Sequence, residues 1–385
     1  MAIFAENIPN VMIHRQLQPK IMRLLGNRKA IVIMGARQVG KSTLLHEIFD
    51  TREDVLWMYG DDIDVQTFFR DITSARLRLF LEKKKFLIID EAQRIPDIGL
   101  KIKLITDQIP EVQVVVTGSS SFELASRVNE SLTGRKREFQ MFPLSFKEMA
   151  ESTDVLTEQR LIPHRLVYGY YPEVVTSVGD EREVLRELAS SYLYKDILQL
   201  DGVTKPDKLV TLMQALALQI GNIVSYRELS QLVGIDAKTV ERYLDLLEKS
   251  YIVYRLGSFS RNLRNELKNG KKIYFYDIGI RNAVIGDFRA VKLRNDVGAL
   301  WENFVLSERI EQIAYTRSFA HVRFWRTAEQ KEIDVIEESD GQLSAIEIKW
   351  NSAKANTKVP AKFSEAYPDA TFKVITPDNV AEYIL

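Results

Sequence analysis

The chain has 385 residues, more than one hydrophobic core usually organises, so two or three domains are expected. Its 45% hydrophobic and 28% charged content is that of a globular protein, and 53 Lys plus Arg against 53 Asp plus Glu excludes a global field able to hold nucleic acid or an anionic membrane by net charge. Without cysteine there is no disulfide framework and no thiolate metal site, and four scattered histidines argue against zinc.

The opening "MAIFAENIPN" lacks the basic start and apolar stretch of a signal peptide, and apolar runs such as "AIVIM" and "FLII" are too short to span a bilayer. A cytoplasmic protein with no membrane partner is expected. From about 30 to 145, the runs "AIVIMG", "VLWMYG", "FLIID" and "VQVVVTG" alternate with helical patterns, as in a parallel sheet covered on both faces. Helical periodicity continues through "EREVLRELASSYLYKDILQL" and "KLVTLMQALALQI". Next, Ser225 and Glu228 have capping-box spacing, and Gly234-Ile235-Asp236 supplies a turn and a new N-cap. Two helices so joined, followed by "YIVYRL" and "KKIYFYD", have the pattern of a winged helix-turn-helix. The remaining segment offers a helix, "VGALWENFVLSERIEQIA", the strand "VRFWRT" and the hairpin "EIDVIEESDGQLSAIEIKW".

"GARQVGKST" fits GxxxxGK[ST] directly between an apolar strand and a helix. Gly35, Ala36, Arg37, Gln38, Val39 and Gly40 would aim main-chain N–H groups at phosphate oxygens. Lys41 would reach the outer phosphates, and Ser42, followed by Thr43, would supply a hydroxyl to magnesium. The strand "FLIID" ends in Asp90, expected to hold the magnesium through water, and Glu91 is the natural group to deprotonate an attacking water. After "VVVTG", any of Thr117, Ser119 and Ser120 is a candidate to read the γ-phosphate, or the segment is an ordinary turn. Arg135 and Arg137 are candidates for an arginine finger reaching a neighbouring subunit, which implies a homo-oligomer.

In the hairpin, Asp340-Gly341 is a two-residue turn signal, so Asp334 should face Glu347 and Glu332 should face Lys349. Strand alternation puts Ile333, Val335, Ile346, Ile348 and Trp350 on one face and the four charged residues on the other. Like charges directly opposite are destabilising, so the Asp334 and Glu347 pair asks for a cation.

In combination, "GARQVGKST", "FLIIDEAQRIPD", "VVVTGSSSFEL", "LTGRKREFQMFPLSFKEM", "YGYYPEVV" and "YKDI" resemble the prokaryotic AAA-type ATPases allied to the archaeal ATPases, which carry a C-terminal domain of unknown function. The resemblance extends through "DIGIRNAVIG", "GALWENFVLSE", "EIDVI" and "IEIKW". It implies an α/β chain with four parts: an ATP- and Mg-binding P-loop ATPase domain with a parallel sheet over 1–150, a helical linker or lid over 151–205, a winged helix-turn-helix over 206–260, and a restriction-endonuclease-like α/β domain over 261–385. In the PD-(D/E)xK pattern of that last fold, Asp334, Glu347 and Lys349 match the catalytic motif, and Glu302 in "WENF" matches the acid on the preceding helix. Asp334, Glu347 and Glu302 would then be metal ligands. No proline precedes Asp334; the residue there is Ile333.

DNA contact is expected from "RNLRNELKNGKK" and from Lys354, Lys358 and Lys362, each of which also suits a solvated face. The helix "DAKTVERYLDLLEKS" is acidic on balance, which disfavours entry into a groove lined by phosphates. The expected activity is therefore ATP hydrolysis coupled to a nuclease-like, DNA-contacting domain. The competing expectation is a regulatory switch whose C-terminal domain binds a partner without cutting.

Overall fold

The computed structural model describes residues 13–118, 132–190, 203–260, 270–327, 329–354 and 358–385. The chain folds as two compact units: His14–Pro143 with Lys249–Tyr251, and the remainder.

The first unit holds a five-stranded, wholly parallel sheet built from β1 (Ala30–Gly35), β2 (Val55–Tyr59), β3 (Phe86–Asp90), β4 (Gln113–Gly118) and β5 (Lys136–Met141), in the order β2-β3-β4-β1-β5. Every residue of β1, β3 and β4 is buried, whereas the edge strands β2 and β5 expose part of theirs. That is why the inner strands read as unbroken apolar runs: each is covered on both faces. Helix α1 (Leu17–Met22) precedes β1, and α2 (Lys41–Phe49) follows it. Three further helices, α3 (Ile63–Arg70), α4 (Ser74–Leu81) and α5 (Ile98–Gln108), send Phe69, Leu77, Leu81, Ile102 and Ile105 into one core with Val32, Met34, Leu87, Ile89, Val114 and Val116. Because β4 lies between β1 and β3, the P-loop strand and the acidic strand end side by side with one strand between them.

The second unit opens with α6 (Phe146–Ser152), α7 (Val155–Tyr168), α8 (Pro172–Thr176) and α9 (Glu181–Leu188). There follow α10 (Pro206–Leu218), β6 (Ile223–Val224), α11 (Tyr226–Val233), α12 (Ala237–Lys249), β7 (Val253–Leu256) and β8 (Lys271–Phe275), with a three-stranded sheet in the order β6-β8-β7. The expected caps form: Ser225 accepts from the N–H of Glu228, Gly234 ends α11 in the left-handed region at φ +75°, and Asp236 accepts from the N–H of Thr239 at 2.9 Å. Strand β8 pairs antiparallel with β7, so the segments on either side of the boundary expected at 260/261 share one sheet.

After α13 (Ile278–Ile285), the 20-residue α14 (Val297–Thr316) leads into β9 (His321–Arg326), β10 (Glu332–Ser339), β11 (Gln342–Ile348), α15 (Ala361–Ala366), β12 (Thr371–Ile375) and α16 (Val380–Ile384). Their mixed sheet has the order β12-β11-β10-β9, with β11 and β12 parallel and the other pairs antiparallel. Asp340 and Gly341 both have positive φ, and Ser339 faces Gln342, as an Asp-Gly turn demands. The face assignment of the hairpin needs correction. A register shift against β9 falls between Ile333 and Ile336, so Ile333 packs with Ile336, Ala345 and Trp325. A strand bulge of this kind breaks the two-residue period on which the alternation rested.

Candidate functional site

The phosphate loop runs from the end of β1 to the first turn of α2. A Cβ on Gly35 would sit 2.2 Å from the carbonyl oxygen of Met141, so only glycine lets β1 end this close to β5. Gln38 and Gly40 adopt φ of +58° and +95°, which turns the loop back onto the helix start. Lys41 is buried; its Nζ donates to the carbonyls of Ala36 at 2.7 Å and Gly35 at 3.1 Å. Burial lowers its pKa to about 8, against the opposing pull of Glu91 and Asp90.

The Ser42 hydroxyl donates to Asp90 Oδ2 at 2.7 Å, joining the loop to the end of β3. Thr117, at the end of β4, donates to Asp90 Oδ1 and accepts the N–H of Glu91 at 3.0 Å. Its hydroxyl proton is thereby engaged by Asp90 and its side chain is wholly buried at the end of β4. Ser119 and Ser120 lie outside the described residues. Glu91 itself has φ +51°, and Gln93 Nε2 holds its carboxylate at 2.5 Å.

Three supporting residues escaped the sequence reading. Arg15 is buried beneath the loop and donates to the carbonyls of Val39, Phe142 and Pro143, the last two at 2.7 and 2.9 Å. Gly60 donates its N–H to Asp90 O at 2.7 Å, and a Cβ there would meet Glu91 O at 2.3 Å. The third is Gln93. A glycine ending an apolar strand is the visible signal for Gly60; nothing local marks Arg15.

Arg135 is not brought to this site in its own chain. It precedes β5, its carbonyl accepts from the N–H of Ala30 at the start of β1, and its Nε pairs with Asp107 at 2.6 Å. The loop leaves β1 five residues later, roughly 16 Å away at strand rise. Arg137 is exposed on β5.

In the second unit, extending the register of Val335 with Ile346 sets Asp334 against Glu347. The regular ladder stops there, and Asp334 Oδ2 accepts the N–H of Ile348 at 2.8 Å. Lys349 Nζ lies 3.0 Å from Asp334 and 2.7 Å from Glu347. Burial and then the Asp334 charge push the Glu347 carboxyl up to about 7. Glu302, on α14, is raised too, first by burial; it accepts from the Tyr274 hydroxyl and from Lys272 Nζ at 3.1 Å. Lys272 also reaches Glu332 at 2.6 Å, and Arg326 stands 3.6 Å from the other oxygen of Glu332. Among the described residues no three His, Cys, Asp or Glu side chains are arranged to hold a metal ion. Of the expected magnesium ligands, Asp334 and Glu347 share Lys349 as partner, whereas Glu302 is partnered by Lys272 and Tyr274.

Of the basic segment 261–272, residues 261–269 lie outside the described residues. Lys362 pairs with Glu329 at 2.6 Å. No helix among the described residues is long and apolar enough to cross a membrane.

Comparison with known proteins follows the same division. Residues 159–290 and 297–382 match two domains of unknown function, DUF8612 and DUF4143. An uncharacterized protein of Mycobacterium tuberculosis is 28% identical over 346 residues, which cover 88% of this chain and 74% of the relative. An uncharacterized protein of Haemophilus influenzae is 27% identical over 282 residues, covering 66% of this chain and 69% of the relative. A Walker-type ATPase of Pyrococcus abyssi superimposes with a TM-score of 0.50 at 15% identity, covering 71% of this chain and 96% of that one, a likeness of fold. Residues 27–150 match an AAA domain. Together with the glycine-rich loop, the acidic strand end and the parallel strand order, that match makes the amino-terminal unit an AAA-type P-loop ATPase domain.

Proposed function

We propose that the chain is a magnesium-dependent ATP hydrolase whose nucleotide state governs a C-terminal, DNA-contacting unit. The observation that carries the first half is the Ser42 hydroxyl held 2.7 Å from the Asp90 carboxylate, beside a buried Lys41. These hard oxygen donors suit magnesium, with Ser42 as a direct ligand and Asp90 acting through water. Bound there, magnesium would supply charge neutralisation between the outer phosphates. Lys41 exchanges its two carbonyl partners for phosphate oxygens, the N–H groups from Ala36 to Thr43 cradle the rest, and Glu91, aimed by Gln93, takes the proton of the attacking water. An arginine from a neighbouring copy, with Arg135 and Arg137 as candidates, completes the site if the protein assembles as a homo-oligomer; Ser119 remains a candidate to read the γ-phosphate.

For the second unit, we read α10 to β8 as a winged helix-turn-helix, from its order of helix, strand, two helices and hairpin. We read α14 to β12 as a restriction-endonuclease-like fold, from a helix followed by three antiparallel strands, a helix and a parallel strand. A second reading, a switch whose nuclease-like unit binds without cutting, is favoured by the lysine at Glu302 and Glu332. Phosphate release from MgATP tests the first half. Wild type should turn over, Lys41→Ala should lose binding and turnover, and Glu91→Gln should bind without turning over; an unchanged rate in Lys41→Ala would dispose of the assignment.

A further inference from the structure

Glu302, Glu332, Asp334 and Glu347 are already supplied with cations. Lys272, on β8, is 2% exposed, and its Nζ lies 3.1 Å from Glu302 of α14 and 2.6 Å from Glu332 of β10, 5.5 Å above the ring of Phe324 on β9. Lys349 bridges Asp334 and Glu347 in the same manner, and Arg326 stands beside Glu332. Four carboxylates thus meet three cationic side chains. Neutral donors join the lysines on the same oxygens: Tyr274 donates to the Glu302 oxygen that Lys272 holds, and the N–H of Ile348 to the Asp334 oxygen that Lys349 holds.

Lys272 reaches the cluster from outside the sequence segment that carries the nuclease-like motif. It is delivered by the hairpin β7 and β8, and α14 grips that hairpin at the next residue too: the Asn303 amide accepts from the N–H of Phe275 at 2.8 Å and donates to its carbonyl at 2.7 Å. A lysine held by a backbone clamp, roofed by an aromatic ring and shared by two carboxylates is an enclosed ion, since a buried ammonium is tolerated only where such partners replace its hydration.

We propose that Lys272 is a resident counter-cation: with its ammonium on Glu302 and Glu332 and Lys349 on Asp334 and Glu347, the acids with which a restriction-endonuclease-like site would gather a divalent metal are neutralised from within the chain, so this unit holds its carboxylates without metal and does not cleave DNA through them. The inference rests on the restriction-endonuclease-like reading of the unit. It turns the cluster from a catalytic centre into a strut that ties β8 to α14 and β10. DNA or another partner is then held, if at all, without chemistry at Asp334.

The test is Mn2+ binding to the nucleotide-free full chain, read from loss of the free-ion electron paramagnetic resonance signal. Wild type should bind no Mn2+ that depends on Asp334. Lys272→Met should gain one site per chain, tightened by about a hundredfold or more, the scale expected from removing a unit charge some 3 to 4 Å away at an effective dielectric near 20. Adding Asp334→Asn to that variant should abolish the gain. Should Lys272→Met fail to fold, Lys272→Met with Glu332→Gln removes the ammonium together with one of its partners and carries the same expectation. Wild-type binding of one Mn2+ that vanishes in Asp334→Asn would overturn the inference while leaving the nuclease-like reading standing. Absence of binding in wild type and in the folded variant alike would overturn both. ATP turnover, which uses the other unit, is unaffected by either result.

Discussion

Arg15 lies twenty residues before the phosphate loop begins, yet its guanidinium props that loop from below. It donates to Val39 within the loop and to Phe142 and Pro143 just after β5. Replacing it with alanine strands three carbonyls in a buried setting and removes a side chain only 6% exposed. At about 1 to 3 kcal/mol for each buried group left without a partner, partly relieved by entering water, Arg15→Ala should lose roughly 3 to 5 kcal/mol of stability. Released from Val39, the loop must also be reordered when nucleotide binds, so MgADP affinity should fall at least about tenfold, the equivalent of about 1.4 kcal/mol. Arg15→Lys, which can satisfy fewer of the carbonyls, should fall between. Urea denaturation with and without saturating MgADP reads both quantities. Wild-type affinity in a folded Arg15→Ala would refute the strut, because a residue acting only on the fold would lower the midpoint and leave binding untouched.

Gly35→Ala places a Cβ against the Met141 carbonyl at 2.2 Å and should cost more than about 2 kcal/mol along with nucleotide binding, measured by thermal unfolding with and without ATP. Gln93→Ala should free the Glu91 carboxylate and lower kcat about tenfold with KM unchanged, as expected when a proton acceptor is misplaced. Asp277, buried and accepting from the N–H groups of Tyr170 and Ile280, has its carboxyl pushed up to about 6 by burial. The folded chain therefore keeps a proton that the unfolded chain releases near 3.8, and stability should decline as pH rises from 3.8 to 6, by up to about 3 kcal/mol. Asp277→Asn should flatten that slope in urea titrations run across the interval; an unaltered slope would contradict the assignment.

The arrangement proposed to hold phosphate was legible because its parts are local. Gly35 to Thr43 lie in one stretch between a strand and a helix, and Asp90 and Glu91 end an apolar strand whose burial on both faces writes itself as an unbroken run. The hairpin register was legible for a similar reason, since the two residues of its turn fix the pairing of everything beside it. Its faces were not, because a bulge between Ile333 and Ile336 is set by packing on β9 and leaves no local mark. Arg15, Thr117 and Lys272 act across long separations in the chain, and their partners become neighbours only through strand order. Lys272 matters most here: nothing in the stretch around Asp334, Glu347 and Lys349 signals that a lysine from another sheet pairs with the neighbouring Glu302 and Glu332. Arg135 is set at the start of β5, at the opposite end of the sheet from its own chain's loop, so any role for it at a nucleotide is one across copies.

Titration calorimetry of MgADP into the folded full chain most directly addresses whether the loop from Gly35 to Thr43 holds a nucleotide. The account predicts saturable heat with one site per chain, abolished in Lys41→Ala. No heat with wild-type protein, or an unchanged isotherm in Lys41→Ala, would contradict it.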